Sequence, residues 1–507
     1  MIPKPPFARD LPLEKEIEEF QALKPRLESL WNALSAREEE PYTSVVIPSL
    51  TLDQAELAKL DGASYYEERL LFLLIRLRNP HARMVYVTSQ PVHPLILEYY
   101  FQLLAGIPAS HARSRLTLLC AHDASPRSLT EKILERPRLI QRIRYGIADR
   151  SRAFMTCFNA TPLERKLSVL LGIPLNGVDP ALAPLGTKSG SRKVFREAGV
   201  PLPEGFEDLR SEDDAVAALA ELRARRPGIR RAVLKLEESF SGEGNAVFRY
   251  PEAESREAIR DGLRRLDCAV PEETPETYLR KLGRMGGIVE EFLEFPESAS
   301  PSVQLRIDPH GKVVLLSSHD QILGGTSGQV YQGCRFPAAD PYRRAIQEQA
   351  RAIGGVLSRR GVVSRFGVDF FAGRSADGTW ETSALEINLR IGGTTHPFLA
   401  LQFLTGGELD PETGAFFSPD GRPKFYRSTD NLQSAAYRGL SPEDLIDLMT
   451  VNRLHYSHGS ESGALFHMIG ALSQYGKVGL TAIGSSPEQA DAIYGHAISV
   501  LDRETRV

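Results

Sequence analysis

The sequence predicts an α/β protein of several units: an N-terminal unit on a parallel sheet, then a region of α+β character built from hairpins and helices. Three observations carry this. The chain has 507 residues, more than one core ordinarily spans, so three or so domains are expected. Through its first third, short apolar runs alternate with helical patterns, as in parallel strands joined by crossover helices. Further on, paired apolar runs flank Gly-, Ser- and Asp-rich turns, as in antiparallel hairpins.

Composition sets the broad class. Apolar residues make up 42% and charged residues 25%, an ordinary globular balance. A net charge of −4 exerts no general pull toward nucleic acid or anionic membrane, and neither is expected as a partner. Cys120, Cys157, Cys268 and Cys334 lie far apart, with no C-x-x-C and no zinc spacing, which predicts free thiols in a reducing compartment. The N-terminus lacks an apolar signal core and no window reaches the ~18 apolar residues of a membrane span, so a cytoplasmic location is expected.

Taken in order, residues 12–40 form an amphipathic helix with the stripe Leu13, Ile17, Phe20, Leu23, Leu27, Leu30 and Leu34. That stripe docks either on its own domain or on a second subunit, which leaves a homodimer open. Strands at 45–48, 84–89 and 116–121 alternate with helices near 64–78 and 94–105. No G-x-G-x-x-G follows any of them, so no dinucleotide site is assigned. The basic stretch 136–152 sets Arg among Leu and Ile at helical spacing, a solvated helix face. A Pro/Gly/Asn-rich linker covers 174–187, and a new unit opens at Lys188 with a helix that Gly199 and Pro201 end.

Next come strand 231–236, the glycine-rich turn 237–245 and strand 246–250, a plausible flap. A strand over 286–295 runs into a connector, and a hairpin pairs 302–307 with 312–318. Residues 324–337 read as a long glycine-rich loop and 406–438 as a polar, turn-rich segment. The final unit has a helix at 441–450, strands at 463–469 and 478–483, and a helix at 486–503.

The chemistry centres on residues 365–397. Strand alternation puts Glu386 and Asn388 on one face while Ile387 points to the core, and Asp369 on the partner strand completes a set of hard oxygen donors. Two carboxylates and an amide oxygen suit Mg²⁺, with Mn²⁺ as a substitute, and Arg390 is placed to meet phosphate oxygens. Upstream, Lys188 and Lys235 can each bring an ammonium to phosphates, the 239–245 turn can approach them closely, and 290–293 can offer a backbone edge to an adenine. Each part has an ordinary structural explanation by itself, such as a solvated strand end or a hairpin loop. Their order and spacing favour a nucleotide site.

That order, Lys188, Lys235 with SFSGEGN, VEEFL, VDFF and EINLR, resembles the ATP-grasp superfamily of carboxylate–amine and carboxylate–thiol ligases. Further phrases, TKSGSRKVFREAGVPLPEG, EINLRIGGTTHPF and FHMIGALSQYGKVGLTAIG, resemble the branch that includes the peptide ligase of pheganomycin biosynthesis. The resemblance implies a Rossmann-like pre-ATP-grasp domain (1–180), an A subdomain with the flap (181–295), a B subdomain with the metal site (296–410) and a C-terminal α+β segment (411–507). It implies phosphate contacts from Lys188 and Lys235, a flap of Ser241, Gly242 and Gly244, and adenine binding by Glu290 with the Glu291, Phe292 and Leu293 backbone. Glu297 is expected at the ribose, with Glu294 as the substitute because FPESASPS is longer than a simple turn. Asp369, Glu386 and Asn388 would hold the metal, with Arg390 and Lys235 catalytic. His319, Gln321, Thr394, Thr395 and His396 are candidates to touch substrate. The implied activity is ATP-dependent ligation of a small carboxylic acid to an amino acid or peptide amine through an acyl phosphate. A kinase on the same fold and a non-catalytic nucleotide-binding subunit stay open as alternatives.

Overall fold

Buried apolar runs set up the first sheet. In the computed structural model, β1 (Thr43–Ile47), β2 (Arg83–Thr88), β3 (Leu116–Cys120) and β4 (Ala153–Cys157) pair in parallel in the order β3–β2–β1–β4. β1 and β4 are buried along their whole length, as parallel strands covered by helices on both faces require. Between β1 and β2 runs a tightly wound helix, Ala63–Arg78, that buries Leu70, Leu71, Leu74 and Leu77. Helix Leu13–Ala36 buries Phe20, Leu23 and Leu30, and its Glu16 meets Arg165 at 2.8 Å, so these positions dock on the chain's own N-terminal unit. The structure describes residues 11–505 except 38, 53–56, 58–59, 239–243, 254, 271–272 and 325–329.

A second, antiparallel sheet follows. It comprises β5 (Gly205–Leu209), β6 (Arg231–Leu236), β7 (Asn245–Arg249), β8 (Asp267–Cys268) and β9 (Gly287–Glu291), ordered β5–β9–β6–β7–β8. Alternation sends Ala232, Leu234 and Leu236 into its core and leaves Val233 and Lys235 on the other face.

The third sheet has eight antiparallel strands. β10 (Glu297–Ile307), β11 (Val313–Gly324), β12 (Val330–Phe336), β13 (Ser364–Arg374) and β14 (Trp380–Asn388) make one part. After a short ribbon of β15 (Glu408–Leu409) and β16 (Phe416–Phe417), β17 (Phe425–Gln433), β18 (Gly463–His467) and β19 (Lys477–Gly484) extend the same sheet. The order is β14–β13–β10–β11–β12–β17–β19–β18. Helix Asp340–Arg359 lays Ile346, Ala350, Ile353 and Leu357 against this sheet.

Two sequence expectations are corrected here. The stretch read as a long loop, 324–337, contributes strand β12 from Val330 to Phe336, while 325–329 lie outside the described residues. The segment read as polar and turn-rich, 406–438, contains β17, whose polar side chains find partners inside. Ser428 and Thr481 share a hydrogen bond at 2.8 Å, Thr429 donates to the Gln332 carbonyl, and Asp430 meets Arg69 at 2.8 Å. Satisfied polar groups can be buried, so polarity alone does not mark a loop.

Candidate active site

The second and third sheets and the N-terminal unit enclose a cavity of about 590 Å³. Lys188, Lys235, Glu290, Asp369, Glu386, Asn388 and Arg390, all singled out from sequence, line it together.

Local structure explains each placement. In the antiparallel pair of β13 and β14, Asp369 stands opposite Glu386, and Asn388 stands opposite Gly367 on the same face. All three donors therefore face one space, and a bulge just beyond Asp369 marks where the ladder is re-aimed. Asn388 Nδ2 donates to Asp369 Oδ2 at 2.9 Å, and Gln321 Nε2 donates to Asp369 Oδ1 at 2.8 Å. Lys188 opens helix Lys188–Ala198, whose first turn is capped by the Thr187 hydroxyl accepting from Gly190 N. A Cβ on Gly190 would fall 1.9 Å from the Pro184 carbonyl oxygen, so only glycine lets the helix start there. The Lys188 ammonium lies 2.5 Å from Glu386 Oε2. On the second sheet Lys235 is ion-paired with Glu290, a buried carboxylate that also meets Arg192 at 3.1 Å.

The electrostatics fit a cation between the two strands. Burial, and then the neighbouring Glu386 charge, raise the Asp369 pKa to about 7. Glu386 suffers the same burial, yet Lys188, Arg390 and Lys235 outweigh it and hold its pKa below the ordinary range. Burial lowers the Arg390 pKa against the pull of Glu386 and Asp369. Two carboxylates facing each other with an amide beside them form a donor set suited to Mg²⁺.

The remaining expected residues divide. Glu291, Phe292, Leu293, Gln321 and Thr394 line the cavity. The amides of Glu291 and Phe292 already donate to the carbonyls of Glu204 and Arg231, so the Leu293 end of the connector is the part left facing a ligand. Gly244 sits behind the wall, its carbonyl accepting from Leu236 N and the Tyr278 hydroxyl, and Ser241 and Gly242 lie outside the described residues.

Both ribose candidates miss the cavity. Glu297 begins β10, opposite Arg374 at the far end of the ladder, and pairs with it at 3.1 Å. Glu294 pairs with Arg231 at 2.7 Å on the surface. His319 is a core residue: its Nε2 shares a 2.5 Å hydrogen bond with the Tyr426 hydroxyl, its ring packs beside the stacked Phe336–Tyr426 pair, and burial lowers its pKa to about 3. Thr395 is buried, its hydroxyl accepting from Gly392 N to fix the turn after β14. His396 is buried against His467, 3.2 Å between ring nitrogens, and His467 in turn meets Asp430 at 2.8 Å.

One wall was not anticipated. Tyr66 and Arg69 from the N-terminal unit, Asp430 and Gln433 from β17 and Lys477 from β19 complete the cavity. The available signals were charged residues embedded in apolar surroundings, Arg69 within YYEERLLFLL and Lys477 at the head of KVGLTAI.

A strand–turn–strand lobe facing a carboxylate-bearing sheet across a cavity lined by two lysines is the architecture of ATP-grasp enzymes. Residues 180–266 and 272–412 match the family described as IQCH-like, ATP-grasp, and residues 444–495 match the PGM1 C-terminal domain. The chain is 33% identical over 467 residues to the L-propargylglycine–L-glutamate ligase of Streptantibioticus cattleyicolor, covering 90% of this chain and 94% of that one. It is 24% identical over 403 residues to IQ motif-containing protein H of Danio rerio, covering 70% of this chain and 38% of that relative. Among solved structures, an ADP complex of N5-carboxyaminoimidazole ribonucleotide synthetase superposes with a TM-score of 0.52 at 13% identity, covering 92% of this chain and 98% of that one. Biotin carboxylase from Campylobacter jejuni superposes with a TM-score of 0.55 at 12% identity, covering 91% and 92%. These last two are likenesses of fold. The chain belongs to the ATP-grasp family and is an ATP-dependent carboxylate–amine ligase.

Proposed function

We propose that this protein joins two amino acids, or an amino acid and a short peptide, by activating one carboxylate as an acyl phosphate. The relative from Streptantibioticus cattleyicolor acts, by its name, on L-propargylglycine and L-glutamate, which makes that pair the first to assay. The observation that carries the reading is the meeting of Lys188, Lys235, Asp369, Glu386, Asn388 and Arg390 in one cavity.

The chain's own groups divide the labour. The adenine lies against the Leu293 connector, and Lys235 and Lys188 turn from Glu290 and Glu386 toward the phosphates. Ser241 and Gly242 of the turn between β6 and β7 are assigned to cover the phosphates. Asp369, Glu386 and Asn388 would hold Mg²⁺, which would supply charge neutralisation to the phosphates. Arg390 meets the transferred phosphoryl while the substrate carboxylate attacks the γ-phosphorus and ADP leaves. An amine then attacks the acyl carbon, phosphate departs with the acyl-oxygen bond, and the ammonium proton passes to solvent or phosphate. Exclusion of water protects the acyl phosphate between the two steps. The separated free thiols support a cytoplasmic location. Among the described residues no helix is long and apolar enough to cross a membrane.

Trapping tests the reading. With Mg-ATP and the acid, hydroxylamine should intercept an acyl hydroxamate and ADP should accumulate, and EDTA should abolish both. A stable phosphorylated product with no need for an amine would make the protein a kinase.

A further inference from the structure

The unanticipated wall of the cavity carries an unsatisfied charge. Lys477 is 6% exposed, and its ammonium donates to the Tyr66 hydroxyl at 2.8 Å and lies 5.0 Å from the centre of that ring. The other two lysines of the cavity are held by carboxylates, Lys188 by Glu386 and Lys235 by Glu290. Among the described residues, no carboxylate comes within ion-pair distance of Lys477. Asp430, in the same wall, is already engaged by Arg69 at 2.8 Å and by His467. A buried ammonium has three donors, and only one is used here. Holding it without a counter-charge is costly, a cost that an incoming anion would offset.

Position sets Lys477 apart from the carboxylates expected to hold the metal. Lys477 stands on β19, and β10, β11, β12 and β17 intervene between it and the Asp369 strand. Other features of the wall suit a planar anion. Gln433 is the cross-strand partner of Lys477 and adds a side-chain amide on the same face. The Arg69 guanidinium, 4.7 Å from the Tyr66 ring centre, braces the ring from its Asp430 pairing and adds positive potential.

We propose that Lys477, oriented by Tyr66, binds a spectator carboxylate of an amino-acid substrate, one that neither receives the phosphoryl group nor is converted to amide. This rests on the ligase reading and narrows it: one substrate must carry a carboxylate beyond its reacting group. Two sources share that chemistry, the second carboxylate of a dicarboxylic acid substrate and the carboxylate of the amine donor.

The test uses full-length protein, Mg-ATP, L-glutamate and L-propargylglycine, and the α-carboxamide of each. Lys477→Met should raise the KM of one amino acid roughly 10- to 100-fold, the loss expected for a charge-assisted contact, with the KM for ATP unchanged. The carboxamide of that same amino acid should be used equally poorly by wild type and variant, and the amino acid affected identifies the source. Lys477→Arg should recover most of the affinity, which separates binding from misfolding, as does an unchanged calorimetric affinity for Mg-ADP. Unchanged KM for both amino acids in Lys477→Met, or a rise confined to ATP, overturns the proposal and leaves the ligase reading standing. Conversely, Lys477-dependent binding of an amino acid by calorimetry with no hydroxamate trapped from either acid upholds the carboxylate subsite and removes the acyl-phosphate reading.

Discussion

Glu386 shows how one side chain can serve both fold and chemistry. It is half-buried and neutralises Lys188, whose ammonium is almost wholly buried. Glu386→Gln keeps the shape and an oxygen donor but removes the charge, and should cost at least about 100-fold in kcat. The thermal midpoint should move little. Glu386→Ala should cost as much activity and, because it also removes the oxygen that accepts from the buried Lys188 ammonium, about 1–3 kcal/mol of stability as well. Urea denaturation beside an ADP-release assay separates the two; equal stability losses in both variants would contradict this account. His319 gives the opposite case. Its ring packs against the stacked Phe336–Tyr426 pair, so His319→Ala should lower stability by about 2–4 kcal/mol while the folded fraction keeps kcat/KM within about threefold.

At the scale of elements, the tightly wound helix Ala63–Arg78 carries two adjacent buried carboxylates, Glu67 and Glu68. Burial raises both to about 7, against opposing hydrogen bonds from Ser89 to Glu67 and from Gly470 N to Glu68. The sign follows from linkage. Unfolded glutamates ionise near 4.5, whereas these stay protonated in the fold up to about 7. Their burial therefore costs nothing below the unfolded value, costs progressively more as pH rises between the two, and reaches its full cost above 7. Glu67→Gln should be close to neutral at pH 4.5 and stabilising by about 1–3 kcal/mol at pH 8, compared by urea denaturation at both. A variant equally stable relative to wild type at the two pH values would show that folding leaves the Glu67 pKa unshifted. The same helix supplies Tyr66 and Arg69 to the cavity, so the N-terminal unit forms part of the cavity wall.

At the scale of the whole molecule, β19 ties the C-terminal residues into the large sheet. Its eight residues are all buried, and it pairs with β17 on one side and β18 on the other. Ending the chain at Gly476 would remove β19 and expose the apolar faces of β17 and β18. Such a chain should yield no cooperative unfolding transition by circular dichroism. The intact enzyme should instead gain about 2.7 kcal/mol from Mg-ATP at one hundred times its dissociation constant, a gain much reduced in Lys235→Met.

By itself the sequence determined what is periodic or local. A two-residue repeat places Glu386 and Asn388 on one face wherever β14 lies, and a hairpin brings Asp369 opposite. For that reason the carboxylate set, the two lysines that share its cavity and the alternating N-terminal unit could be read directly. Tertiary structure alone decided the rest. Tyr66, Arg69, Asp430 and Lys477 come from regions hundreds of residues apart, with no shared pattern, and become neighbours only because β17 and β19 join the sheet begun at β10. Burial likewise turned His319 and His396 from candidate contacts into packed interior, since whether a polar ring meets solvent or its own core depends on what the distant chain lays over it.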